Sequence, residues 1–133
     1  MKGADGKILP LLCLPFNPQR KGCETMDSLQ ELRQAIDQFA QERQWTQFHT
    51  PANLAKSISI EANELLECFQ WSESAYSLEH VKEELADVLN YCIRMASILE
   101  LDIREIVLQK MEKNALKYPV EKARGNSAKY TQL

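Results

Sequence analysis

The sequence has few of the residues that mark several common kinds of functional site. It contains two histidines, four cysteines with no Cys-x-x-Cys pair, and no glycine-rich phosphate loop. These spacings argue against a zinc site and a disulfide framework, and they favour a reducing, cytoplasmic setting. The missing loop argues against a P-loop enzyme. Neither histidine follows a glutamate by three residues, which argues against a di-iron carboxylate bundle.

Long apolar runs and a strong charge of one sign are also absent. No stretch approaches the about 20 apolar residues that span a bilayer, so no membrane association is expected. The net charge of −3 gives no sign of nucleic-acid binding. No serine, cysteine or threonine stands beside an evident base, so a covalent intermediate is not indicated. With 133 residues, 44% of them hydrophobic and 26% charged, a single ordinary domain is expected.

Residues 1–26 differ in composition from the rest of the chain. They hold three of the four glycines and three of the five prolines, which interrupt the short apolar run ILPLLCLPF. We expect them to form a disordered extension, or a leader placed upstream of a natural start at Met26. Residues 27–133 are then expected to form the functional domain, ending in a mobile C-terminal tail.

Four later segments carry apolar residues at helical spacing, over about 28–43, 52–70, 77–100 and 102–117. Ser28, Ser77 and Asp102 are suitable N-caps, and Pro51 separates the first two helices. The chain is therefore predicted to be all-α, a four-helix bundle. The expected packed side of the last helix consists of Ile103, Ile106, Val107 and Met111. Cys68 and Cys92 lie on or beside apolar stripes, where we expect small core residues.

Two acidic pairs of equal spacing stand out within these helices. Glu61 and Glu64 flank one apolar stripe, and Glu84 and Asp87 flank the next. Because residues three apart lie on one side of a helix, packing of the two stripes would bring the four carboxylates together. Such a cluster requires countercharge, and its oxygen ligands suit Mg²⁺ or Mn²⁺. The alternative is an ordinary solvated helix face, on which acidic pairs are common.

The spacing of these pairs, with several longer motifs, resembles a known family. ExxE followed after nineteen residues by ExxD is similar to the signature of the MazG-like all-α nucleoside triphosphate pyrophosphohydrolases. RQWTQFHTPANL, EANELLECFQW, EELADVLNY and KNALKYPVEKARG resemble the dCTP pyrophosphatase branch. The similarity covers about residues 28–125, with the motifs in the expected order.

This resemblance implies a reaction and a set of site residues. The expected reaction is Mg²⁺-dependent hydrolysis of a nucleoside triphosphate, dCTP or a 5-modified dCTP, to the monophosphate and pyrophosphate. The four carboxylates would bind metal and carry the catalysis. The resemblance places Trp45, His49 and Trp71 in the nucleoside pocket, and it favours Lys110, Asn114 and Tyr118 at the phosphates. The positions of three further residues add to these sets: Tyr91, on the acidic side of its helix, and the adjacent Asn90 near the base and sugar, and Lys117, on the Lys110 stripe, at the phosphates. The family also implies a homotetramer, a dimer of dimers.

Several alternatives stay open on the residues alone. Trp45 is equally compatible with core packing, Trp71 could instead close the end of the bundle, and the Lys110 stripe is compatible with a solvated face. Aromatic side chains stack on any base, so they do not select cytosine. A related pyrophosphohydrolase acting on dUTP or another nucleotide, or a non-catalytic nucleotide-binding helical module, remains as a second interpretation.

Overall fold

The computed structural model describes residues 28–133, and the regular structure of this part of the chain is entirely helical. The helices are α1 (Ser28–Glu42), α2 (Pro51–Glu67), α3 (Leu78–Ile98), α4 (Ile103–Lys117) and α5 (Val120–Ala123), with 3-10 turns at Trp45–Gln47 and Tyr130–Gln132. The predicted all-α class with four main helices is confirmed. The extension predicted over 1–26 lies outside the described residues.

Helices α3 and α4 begin where the sequence predicts, and α2 begins one residue earlier, at Pro51. The side chains of Thr50, Ser77 and Asp102 each accept a hydrogen bond from the backbone N–H three residues on, at 3.2, 3.4 and 2.9 Å. Each bond satisfies one of the unpaired donors of a helix N-terminus. Pro51 takes the first position of α2, where a backbone N–H would have no intrahelical partner. These caps fix the starts of α2, α3 and α4.

The C-terminus of α3 closes in a Schellman motif. The backbone N–H of Leu101 donates to Ala96 at 2.9 Å, and that of Glu100 donates to Ser97 at 3.1 Å. Glu100 adopts a φ of 54°, in the left-handed region that such a motif requires. Arg33 of α1 donates to the carbonyl oxygen of Leu101 at 3.1 Å and to that of Ser97, within α3, at 3.5 Å. This contact ties α1 to the negative end of the α3 dipole.

The core lies where α2 and α1 pack against α3. Its buried apolar residues are Ala40, Leu54, Ile93 and Ala96. The prediction of a buried Cys92 is wrong, because this side chain is exposed. The most buried face of α3 is displaced by one position towards Ile93 and Arg94.

The apolar side of α4 remains open within the chain. Ile106, Val107 and Met111 are 39%, 49% and 59% exposed, and no residue of α4 is buried. The packed side predicted for this helix is therefore not covered by the described residues of the same chain. No helix among residues 28–133 has the length and apolar character needed to cross a bilayer.

Candidate active site

Three of the four predicted carboxylates meet where α2 and α3 pack together. Oxygen atoms of Glu61, Glu84 and Asp87 all lie within 4.8 Å of one another. Glu61 and Glu84 are half-buried, and Asp87 is exposed. The i, i+3 spacing in α3 places Glu84 and Asp87 on one side of that helix, facing Glu61 of α2. We refer to these three side chains as the carboxylate cluster.

Burial and mutual repulsion make the ionised form of the clustered carboxylates less favourable. Burial raises the pKa of Glu61, and the charges of Glu64, Asp87 and Glu84 raise it further. Burial also raises the pKa of Glu84, with additional contributions from Glu64, Asp87 and Glu83 that His80 partly offsets. Both shifts have the sign expected for carboxylates held close together without a compensating cation. A divalent cation would remove this repulsion, and an all-oxygen donor set suits a hard cation.

The fourth carboxylate stands beside the cluster. Glu64 is exposed and lies outside the group of three, yet its charge raises the pKa of both Glu61 and Glu84. It occupies the next turn of α2, three residues after Glu61. Four carboxylates were predicted to converge. In the structure three of them lie close together, and the fourth, Glu64, lies beside them.

Asn90 and Tyr91 continue the same region of α3. The side-chain amide of Asn90 donates to Oδ1 of Asp87 across 3.4 Å. This long bond gives Asn90 a contact with the cluster, and the base contact predicted for it stays a prediction. Tyr91 follows Asp87 by one helical turn and is half-buried.

An aromatic surface lies on the connection between α1 and α2. Trp45 is 42% exposed, and its ring packs edge-on against Phe39 at 5.8 Å and His49 at 6.3 Å between centroids. From the sequence alone, Trp45 could be either a core residue or part of a pocket wall. Its exposure and its two supporting rings favour a wall, because a large face stays available to a ligand.

Arg94 holds this connection to the helices, and sequence analysis did not identify it. Only 6% exposed, it donates to Asp37 Oδ1 at 2.6 Å, to His49 Nδ1 at 3.1 Å and to Thr46 Oγ1 at 3.1 Å. The available signal was a single arginine within the apolar run YCIRMASIL. It also follows Asp87 by seven residues, on the side of α3 that carries the acidic pair.

Trp71 lies in the link between α2 and α3 and is 89% exposed. Helix α2 ends at Glu67, so the prediction that it continues to Gln70 is wrong. The link is held instead by the rings of Phe69 and Tyr76, which pack at 4.8 Å. Trp71 therefore does not close the bundle, and its indole is open to solvent.

The predicted phosphate residues belong to α4 and its end. Within residues 28–133, no hydrogen bond or ion pair joins Lys110, Asn114, Lys117 or Tyr118 to the carboxylate cluster. Two of them contact the C-terminal segment, where the Tyr118 ring lies 5.9 Å from that of Tyr130 and Lys117 Nζ lies 5.0 Å from the Tyr130 centroid. The segment predicted as a mobile tail contains α5 and a 3-10 turn.

Comparison with known proteins agrees with this arrangement. The MazG-like family model matches residues 56–133, which include the whole carboxylate cluster. The chain is 37% identical to dCTP pyrophosphatase 1 of Homo sapiens over 125 residues, covering 87% of this chain and 74% of that protein. It is 37% identical to dCTP pyrophosphatase 1 of Rattus norvegicus over 115 residues, covering 80% and 68%.

A solved structure shares the fold as well as the sequence. The crystal structure of a pyrophosphatase from Archaeoglobus fulgidus superimposes with a TM-score of 0.64 at 40% identity, covering 74% of this chain and 99% of that one. The family model covers more than half of the chain, and the relatives align over most of it. The chain therefore belongs to the MazG-like family.

Proposed function

We propose that this protein hydrolyses a nucleoside triphosphate to the monophosphate and pyrophosphate, with dCTP or a 5-modified dCTP as the preferred substrate. The observation that carries the proposal is the carboxylate cluster, whose oxygens lie within 4.8 Å of one another. The curated relatives are named dCTP pyrophosphatase, which supports both the reaction and the base. The reaction makes the protein a nucleoside triphosphate pyrophosphohydrolase that acts on the nucleotide pool.

The carboxylate cluster fits a divalent cation, which we propose to be Mg²⁺, with Mn²⁺ as a substitute. Glu61, Glu84 and Asp87 would hold the cation, because burial and the neighbouring carboxylate charges raise the pKa of Glu61 and Glu84, and positive charge relieves this repulsion. When bound, such a cation neutralises phosphate charge and makes a nearby water more acidic. Glu64, beside the cluster, is the carboxylate that we assign to accept the proton from that water.

The remaining site residues are assigned to the two ends of the substrate. Trp45, His49 and Trp71 are proposed to contact the base, since each is exposed or half-exposed near a helix end. Tyr91 is proposed to pack on the sugar, and Asn90 to orient Asp87. The triphosphate is anionic, and the α4 side chains that we assign to it are Lys110, Asn114, Lys117 and Tyr118.

A homotetramer, built as a dimer of dimers, completes the proposal. The exposed apolar side of α4 supports it, because Ile106, Val107 and Met111 would otherwise face water. Assembly would also allow α4 of one chain to bring its lysines to a neighbouring carboxylate cluster. We place the protein in the cytoplasm, where Cys68 and Cys92 would stay reduced, in agreement with their free thiols.

A nucleotide panel tests the proposal. The protein is incubated with Mg²⁺ and dCTP, 5-methyl-dCTP, dUTP, dTTP, CTP or ATP, and the products are separated by chromatography. We expect monophosphate and pyrophosphate, with dCTP or its 5-methyl form turned over fastest. A preference for dUTP would reassign the base, and release of inorganic phosphate would reject the reaction type.

Matched variants separate catalysis from binding. Glu61→Gln should reduce turnover at least a hundredfold, because it removes one charge of the cluster. Glu42→Gln, at the exposed end of α1, makes the same chemical change and should leave turnover intact. If the wild-type protein binds nucleotide without producing pyrophosphate, the chain is a non-catalytic nucleotide-binding module.

A further inference from the structure

The histidine that supports Trp45 has an unusual hydrogen-bond partner. Nε of Arg94 lies 3.1 Å from Nδ1 of His49 and donates a hydrogen bond to it. The guanidinium carries five N–H donors and no acceptor, and it stays protonated in proteins. The Nδ1 atom must therefore carry a lone pair, because a proton there would face the N–H of Arg94. In this arrangement His49 is neutral, with its proton on Nε2.

Arg94 is itself firmly placed. Its Nη1 atom lies 2.6 Å from Asp37 Oδ1 of α1, and its Nη2 atom lies 3.1 Å from Thr46 Oγ1. With 6% of its surface exposed, the side chain has little freedom to choose other partners. Three bonds, one to α1 and two to the connection between α1 and α2, thus fix the guanidinium, and the guanidinium fixes the imidazole ring.

Burial and the nearest charge act on His49 in the same direction. Burial lowers the pKa of His49, and the neighbouring Arg94 charge lowers it further. The Asp37 carboxylate, whose sign would favour the protonated imidazole, is paired with Nη1 of the same guanidinium, whereas Nε faces His49. Protonation of His49 is therefore opposed at the contact itself.

The position of this network relates it to the carboxylate cluster. Arg94 and Asp87 are seven residues apart in α3, so they share one side of the helix and are separated by about 10 Å along its axis. An extended nucleotide can place its phosphates at one end of such a distance and its base at the other. The aromatic surface formed by Trp45 and His49 adjoins the Arg94 end.

We propose that Arg94 is a positioning residue that locks His49 in the neutral Nε2–H tautomer, so that His49 offers a hydrogen-bond donor to an acceptor atom of the nucleotide base. This inference rests on the proposed function for the identity of the ligand, although the tautomer itself does not. A fixed neutral donor selects bases with a carbonyl oxygen or ring nitrogen at that edge. It also keeps base recognition independent of pH across the neutral range.

The tautomer is measured by long-range ¹H–¹⁵N correlation spectra of the uniformly ¹⁵N-labelled full-length chain between pH 6 and 8. The chain has two histidines, and exposed His80, whose ring has no arginine hydrogen bond in the described part of the chain, provides the internal reference. We expect His49 to show an unprotonated Nδ1 and a protonated Nε2 at every pH. Protonation of Nδ1 in the wild-type protein would overturn the proposal without any variant being needed.

Substitution of Arg94 links the tautomer to recognition. In Arg94→Met, His49 should titrate between pH 6 and 8 and exchange between its two tautomers. KM for dCTP should rise roughly tenfold, most at low pH, and kcat should stay within about twofold of the wild-type value. Arg94→Lys keeps a cationic donor and should recover part of the wild-type KM. An unchanged tautomer and KM profile in Arg94→Met would reject the positioning role.

The two proposals fail separately. If no nucleotide is hydrolysed but the spectra show the locked Nε2–H form, the proposed function is wrong and the structural role of Arg94 stands. If hydrolysis occurs and His49 titrates freely in the wild-type protein, the positioning role is wrong. Should Arg94→Met fail to fold, Thr46→Val removes one of the three bonds of Arg94 and should cause a smaller change of the same sign in both measurements.

Discussion

The carboxylate cluster makes a specific prediction for Glu61→Gln in the absence of metal. The substitution keeps the shape of the side chain and removes one negative charge. Two unit charges 4.8 Å apart repel by about 0.9 kcal/mol in the dielectric of water, and physiological salt reduces this roughly by half. Glu61 has two such neighbours within this distance. The metal-free variant should therefore be more stable than the wild-type protein by about 1 kcal/mol.

Added Mg²⁺ should remove this advantage. A ligand that binds only the folded state stabilises it by about 1.4 kcal/mol when its concentration is ten times its Kd. The wild-type protein should gain this amount, and Glu61→Gln should gain less because a charged ligand is missing. In Mg²⁺, the wild-type protein should then be as stable as Glu61→Gln or more stable. A shift of 1 kcal/mol corresponds to roughly 3–6 °C in Tm for a chain of this size.

The assay is thermal unfolding followed by circular dichroism at one protein concentration, in EDTA and in 10 mM MgCl₂. Glu42→Gln serves as the control, since it makes the same chemical change at a residue outside the carboxylate cluster and should match the wild-type response in both buffers. A Glu61→Gln variant less stable than the wild-type protein in EDTA would refute the repulsion argument. A wild-type Tm that responds to neither Mg²⁺ nor Mn²⁺ would refute the cation site.

Three further predictions follow from the structure. The pKa values of Glu61 and Glu84 are raised above their ordinary value of 4.5, so the folded metal-free protein binds more protons than the unfolded chain. Its stability therefore falls as pH rises from 4.5 through the raised pKa values. Urea titrations at pH 5 and pH 7 should show a smaller fall in the stability of Glu61→Gln than in that of the wild-type protein. Trp71→Ala should raise KM for dCTP several-fold and leave kcat unchanged. Because the indole is 89% exposed, the free energy of unfolding should change by less than about 0.5 kcal/mol. Trp71→Phe should recover part of the affinity, and an unchanged KM in Trp71→Ala would remove Trp71 from the base site. Glu100→Gly should raise the free energy of unfolding by about 0.5–1 kcal/mol, because glycine adopts a φ of 54° without steric cost. A lower stability of this variant in urea unfolding would contradict the Schellman assignment.

The sequence predicted the helices well because their ends are local chemistry. Ser77 and Asp102 act on backbone groups only three residues away, so the cap and its partner stand in the same short segment. The acidic pairs were predictable for the same reason, since a spacing of three residues fixes their common side in any helix. Family membership was also recognisable, because the motifs around Glu61 and Asp87 retain their order and spacing.

The Arg94 network was not predictable in this way. Its partners Asp37, Thr46 and His49 are 57, 48 and 45 residues away, on α1 and on the connection before α2. No local pattern reports a contact that exists only after three segments have packed. The exposure of Cys92 has a similar cause, because periodicity identifies an apolar stripe but not which part of it a neighbouring segment covers.

The aromatic surface and the carboxylate cluster are carried by different parts of the chain. The charged groups stand on the paired helices α2 and α3, whereas Trp45 stands on a 3-10 turn that follows Gln44 in the left-handed region. Insertions or substitutions in that short connection would move the indole without disturbing the charged groups. With the base assigned to Trp45 as we propose, descendants of this chain would have a route to new nucleobases in which the carboxylate cluster is inherited intact.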